Sequence, residues 1–290
     1  MVVVAGLVVA SSMTTTSHAE DAPADHRITV EVKGYGHDVV LVPGLASSRE
    51  VWADLAQRLR PTRRLHLVQV AGFAGSPASA DAEGRVVAST AEAIADYIVR
   101  ERLSAPDIVG HSLGGEVALM LGARHPDLVG RLLVVDALPF YSLLFDPSAT
   151  SASVAPQAAA MRDAILASSR EQADAFQAAS IARLVKTEAA RPSLVEAGRK
   201  SDGATVANAM HELMTTDLRL ELPDIKAQTM VVYAYDPAFG VSSASVDQTF
   251  RDAYRGLPNV TFRRVDDSFH FVMQDQPEAF AAAAQEFLAR

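Results

Sequence analysis

The sequence predicts an α/β fold: a mostly parallel, doubly wound sheet with an all-helical cap inserted between two of its strands. Three observations carry this expectation. Short apolar runs alternate with amphipathic stretches of about 12 residues across 28–138 and again across 223–290. Most of those runs are continuously apolar, as strands buried on both faces require. The intervening residues 139–222 hold no strand pattern and are rich in Ala, Ser, Leu, Gln and Glu.

Each element follows from a local pattern. Ile28, Val30 and Val32 alternate with polar residues, and Gly34 and Gly36 mark a turn. Val39-Val40-Leu41-Val42 is a buried strand that stops at Pro43-Gly44, and residues 48–59 read as a helix. Residues 65–70 form a second buried strand, closed by the small-residue loop 71–80. Residues 90–101 are amphipathic and helical. Asp107-Ile108-Val109 is a short strand with a helix over 115–125 behind it, and Leu132-Leu133-Val134-Val135 is another strand. The cap holds helical stretches near 154–168, 170–186, 191–200 and 203–215. Alternation resumes with a strand over 229–233, a helix over 245–255, a strand over 260–265 and a last amphipathic helix over 276–290.

Composition narrows the function. The chain has 290 residues, net charge −9 and no cysteine. Disulfides, thiol catalysis and Cys-based zinc sites are excluded together. No Lys/Arg run is present, so nucleic acid is not an expected partner, because phosphate binding needs clustered positive charge. No H-E-x-x-H or paired histidine cluster supports a metal, and no cofactor is expected; Gly34-Tyr35-Gly36 lacks the third glycine of a nucleotide loop.

The N-terminus reads as a signal peptide over residues 1–19. An apolar run over 2–10 precedes small and polar residues ending in Ser17-His18-Ala19, a cleavage-like pattern, although no Lys or Arg comes before Arg27. A periplasmic or secreted location is the corresponding expectation. No later stretch reaches the ~18 apolar residues of a membrane-spanning helix.

Gly110-His111-Ser112-Leu113-Gly114, with Gly115 next, follows a strand and opens a helix. This G-x-S-x-G arrangement puts a serine on a tight strand-to-helix turn, with its hydroxyl exposed at the carboxyl edge of the sheet. Ser112 is therefore the candidate nucleophile. A serine hydroxyl needs a base to take its proton. Among eight histidines, His270 follows the last strand on that same edge and is the candidate base. The imidazole needs a carboxylate to fix its tautomer. Asp236 ends the strand Val231 to Tyr235 and is the favoured acid, in the chain order Ser112, Asp236, His270. Asp136, at the end of the strand over 132–135, is its rival. The backbone N–H groups of Leu113 and Leu45 are the candidate oxyanion donors. Phe73, Phe140 and Tyr141, with Leu143, Leu144 and Phe145, are candidates for an acyl pocket.

These motifs resemble the α/β-hydrolase fold superfamily, in its capped esterase, lipase and C–C hydrolase group. The resemblance rests on Pro43-Gly44, Ser47-Ser48, Trp52, Gly72-Phe73-Ala74-Gly75-Ser76, the Gly110 to Gly115 run, Asp236, and His270 with Gln276-Pro277-Glu278, and it spans residues 28–290. It departs from the family at Pro43, where a histidine is usual, and at Ser268, where a glycine is common. The resemblance implies a serine hydrolase acting on a small to medium, apolar carboxylic ester through an acyl-enzyme, with activity falling as pH drops through about 6–7. A C–C or amide hydrolase, or a cofactor-free perhydrolase, would use the same triad. A ligand-binding protein on a hydrolase scaffold is a third reading, which the complete triad disfavours.

Overall fold

The computed structural model describes residues 27–79 and 84–289. The apolar run over 2–10 and the cleavage-like Ser17-His18-Ala19 lie outside the described residues.

Seven strands form one sheet: β1 (Ile28–Gly34), β2 (His37–Val42), β3 (Arg63–Val70), β4 (Asp107–His111), β5 (Arg131–Val135), β6 (Gln228–Tyr235) and β7 (Val260–Asp266). Their order is β1-β3-β2-β4-β5-β6-β7. Only β1 runs antiparallel, against β3, and every other pairing is parallel. β1 is also the strand whose apolar residues alternate, as an edge strand with one wet face should.

The period of two sorts the inner strands into two cores. Val40, Val42, Ile108, Val134 and Val231 face one side, and Val39, Leu41, Val109, Leu133 and Val232 face the other. The first side is covered by α2 (Val87–Arg100) and α3 (Leu113–Arg124). The second is covered by α1 (Ala53–Leu59), which begins after a single 3₁₀ turn capped by Ser48. Trp52, fully buried, packs there against Phe280.

Between β5 and β6 the chain forms four helices: α4 (Ser151–Ala167), α5 (Arg170–Leu184), α6 (Arg191–Arg199) and α7 (Gly203–Thr215). Thr150 and Ser169 start α4 and α5 as reciprocal capping boxes, which satisfy otherwise orphaned N–H groups. α4 packs on α7, and α5 on α6. The Glu212 carboxylate of α7 accepts from the N–H groups of Val86, Val87 and Ala88 at 2.7, 2.8 and 2.7 Å, so the insert caps the N-terminus of α2. The remaining helices are α8 (Ser243–Ala253), the single turn α9 (Val272–Asp275) and α10 (Pro277–Leu288). Among the described residues no helix is long and apolar enough to cross a membrane.

Candidate active site

Ser112 sits between β4 and α3 with φ 54° and ψ −121°, a strained conformation for a side chain with a Cβ. Its neighbours enforce that turn. A Cβ on Gly110 would lie 2.0 Å from the Gly114 carbonyl oxygen, and one on Gly114 would lie 2.3 Å from that of Val42. Only glycine lets β4, α3 and the end of β2 approach so closely. The Ser112 N–H donates to the Val135 carbonyl at 2.9 Å, tying the turn to the end of β5.

The next residue along β5's exit is Asp136, also left-handed at φ 46°. Its N–H donates to the Val232 carbonyl at 2.7 Å. One carboxylate oxygen accepts from the Ala234 N–H at 2.9 Å, and the other lies 2.7 Å from Nδ1 of His270. His270 is carried by the loop after β7, which is anchored to β6 where the Ser268 N–H donates to the Tyr235 carbonyl at 3.2 Å. Ser112, Asp136 and His270 line one cavity of about 500 Å³.

The expectation that Asp236 partners His270 is corrected here. Asp236 ends β6, but its carboxylate turns elsewhere. One oxygen caps the following turn through the Ala238 N–H at 2.8 Å, and the other accepts from Lys186 Nζ at 2.7 Å. The hydrogen bond from Lys186, helped by that from Ala238, holds the Asp236 carboxyl below its usual range. Lys186, at the C-terminal side of α5, is raised above its usual range by Asp236 and Asp267, which it also bridges. Asp236 therefore fastens the helical insert to the sheet edge.

Three of the expected pocket residues are also corrected. Phe73 and Phe140 are fully buried in the core, Phe145 is exposed, and none of the three lines the cavity. Phe140 packs under the Arg219 guanidinium at 5.3 Å. Tyr141 does line the cavity, with Leu143 and Leu144. The loop after β2 packs directly on the serine turn: a Cβ on Gly44 would sit 3.2 Å from Ser112 Cβ. Among the described residues neither the Leu45 nor the Leu113 N–H has a hydrogen-bond acceptor.

Two residues that the sequence did not single out as functional support the histidine. His111, fully buried, meets the His270 carbonyl oxygen through Nε2 at 3.0 Å, and its ring lies 4.6 Å from that of His270. Burial, reinforced by the neighbouring His270, keeps the His111 pKa well below the usual histidine value, so it stays neutral. A neutral ring whose Nε2 faces a carbonyl carries its proton there and donates. Asp275 accepts from the Phe269 N–H at 2.9 Å, and from the N–H groups of Lys186 and Thr187 at 3.1 and 2.8 Å. It thereby joins the histidine loop to the insert. No local motif marks Asp275; its partners lie up to 89 positions away.

A strained serine at a strand-to-helix turn, beside a histidine–carboxylate pair on the carboxyl edge of a mostly parallel sheet, defines the hydrolase class of this fold. The chain belongs to the alpha/beta hydrolase family, which it matches over residues 39–283. Among its relatives is a pimeloyl-[acyl-carrier protein] methyl ester esterase of Vibrio vulnificus, 31% identical over 112 residues, covering 39% of this chain and 41% of the relative. The enzyme of the same name from Chromobacterium violaceum is 36% identical over 110 residues, covering 38% and 41%. The match thus spans about two fifths of the length of these relatives. The mouse sn-1-specific diacylglycerol lipase ABHD11 is 25% identical over 263 residues, 87% of this chain and 80% of that one. An esterase from Exiguobacterium antarcticum shares the fold with a TM-score of 0.74 at 17% identity, covering 91% of this chain and 96% of that chain.

Proposed function

We propose that the protein is a serine hydrolase of carboxylic esters, working through an acyl-enzyme on Ser112, His270 and Asp136. The observation that carries this reading is the 2.7 Å contact between His270 Nδ1 and Asp136, within the cavity that Ser112 also lines.

The chemistry follows from where the protons sit. An ionised Asp136 has no proton to give, so Nδ1 of a neutral His270 donates to it. Nε2 is then the bare nitrogen, able to take the proton of Ser112 as Oγ attacks the ester carbonyl carbon. The oxyanion is held by the N–H groups of Leu45 and Leu113, each such donor contributing about 3 kcal/mol to the transition state. His270 then protonates the departing alcohol, leaving the acyl group on Ser112. Water attacks the acyl carbon as His270 takes its proton; His270 then returns that proton to Ser112 Oγ as the bond to the serine breaks, and the acid leaves with the enzyme restored. The lining is mostly apolar, with Leu138, Tyr141, Leu143, Leu213, Val246 and Phe250, which suits an apolar acyl or alcohol part of small to medium size.

The test is a chain-length panel of p-nitrophenyl esters on the purified wild type and Ser112→Ala. Hydrolysis by the wild type that falls at least about a thousandfold in the variant supports the reading. Near wild-type hydrolysis by Ser112→Ala refutes it.

A further inference from the structure

The same cavity has one ionic feature that ester cleavage leaves unused. Two charged side chains line it, Asp136 and Arg183. Asp136 is committed to His270 and to the Ala234 N–H. The side chain of Arg183, in the last turn of α5, makes no hydrogen bond or ion pair with any described residue. Its neighbours differ. Lys186 bridges Asp236 and Asp267, and Arg191 reaches the carbonyls of Val185 and Lys186 and the Glu188 carboxylate.

Arg183 is exposed, as a solvated arginine on an outer helix face would be, but it borders the cavity that holds the candidate nucleophile and base, which the exposed apolar side chains of Leu144, Phe239 and Val241 also line. Among the described residues, Asp136 is the lining's one carboxylate, and it is already engaged by His270 and the Ala234 N–H. The chain as a whole carries −9, so its overall field disfavours an approaching anion. An anionic substrate would need a local cation, and a planar guanidinium with five donors matches a carboxylate or phosphate group in a bidentate way.

From this geometry we infer that the cavity takes an ester whose far end carries an anion, a carboxylate or a phosphate group, and that Arg183 selects it. The inference rests on the ester-hydrolase reading above and adds the substrate class to it. The apolar lining holds the chain, Ser112 meets the ester, and Arg183 meets the anion.

The experiment compares methyl esters of one chain length that end in methyl (methyl hexanoate), in carboxylate (monomethyl adipate) or in phosphonate, with methanol release as the readout. The quantity read is the ratio of kcat/KM for each anionic ester to that for methyl hexanoate. The wild type is expected to show a ratio above one that declines with added KCl. Arg183→Gln should lower it about tenfold, Arg183→Glu should take it below one, and Arg183→Lys should keep part of it. The larger of the carboxylate and phosphonate ratios identifies the preferred anion. A ratio that stays within about twofold of the wild type in both Arg183→Gln and Arg183→Glu overturns the inference. Hydrolysis of all esters with an unmoved ratio contradicts the anion preference alone. If the wild type hydrolyses neither these esters nor the p-nitrophenyl panel, the ester-hydrolase reading fails with it.

Discussion

His270 meets Asp136, not Asp236, although the three residues come from the ends of three neighbouring strands. The 2.7 Å contact is possible because Asp136 is held in a left-handed conformation, with its second carboxylate oxygen fixed by the Ala234 N–H. Asp136→Asn would leave the shape but invert the hydrogen bond, favouring the wrong imidazole tautomer. A loss of about 10⁴ in kcat is expected, by comparison with the same substitution in serine proteases. Asp236→Asn should cost far less, within about tenfold, since its carboxylate serves Lys186. Steady-state ester hydrolysis of the two variants decides between them, and a larger loss in Asp236→Asn would reverse the assignment.

The Lys186–Asp236 pair has a pH signature of its own. Asp236 is depressed in the folded protein, so its contribution is present above the ordinary carboxylate range and is lost as pH falls through the depressed value. Lys186 is raised, so its contribution is complete below the ordinary lysine range and is lost as pH rises through the higher value. Both are in place at neutral pH. In thermal melts, Lys186→Met should lie below the wild type at pH 7, and the gap should shrink as the pH is taken down through 4 to 2. A gap constant over that range would contradict a role for the pair.

His111 offers a test of how the base is held. Its Nε2–H donates to the His270 carbonyl, and its other ring nitrogen faces the Gly44 backbone with no partner among the described residues. A glutamine amide reproduces the donor, and a leucine does not. His111→Gln should therefore keep kcat within about tenfold of the wild type, while His111→Leu should lose more than that, mainly in kcat and not in KM. Equal kcat in the two variants, with both folded by circular dichroism, would refute the hydrogen bond's importance.

A buried carboxyl one turn beyond the serine makes the opposite prediction for stability. Glu116 is fully buried, and neither of its oxygens has a partner among the described residues. Burial, and then the Glu212 charge, raise its pKa well above the usual value. The folded state therefore holds a proton that the unfolded chain gives up, and stability falls as pH rises above the ordinary glutamate range. Glu116→Met should melt higher than the wild type at pH 8, by a margin that narrows toward pH 4. A melt below the wild type at both pH values would contradict a destabilising, unpartnered carboxyl at this position.

Much of this was readable along the chain, and the exceptions have physical causes. The strands announced themselves because both faces of β2, β4 and β5 are buried, which demands unbroken apolar runs. The serine turn was legible because Gly110 and Gly114 stand where any Cβ would strike backbone. The acid was not. Asp136 and Asp236 both end strands on the same edge, and what separates them is a left-handed φ at one and, at the other, a lysine 50 positions away in the helical insert. Phe73 and Phe140 are turned into the core, and the direction of such side chains is set by packing, which no local pattern records. Asp275 and His111 act through backbone atoms of the histidine loop, and such contacts leave no trace in residue type.

The most direct measurement of the central claim is labelling by a fluorophosphonate, with the modified peptide identified by mass spectrometry. A single adduct is expected on Ser112, formed at least about a hundredfold more slowly in His270→Ala and absent in Ser112→Ala. An adduct on another residue, or unchanged labelling of Ser112→Ala, would contradict Ser112 as the nucleophile.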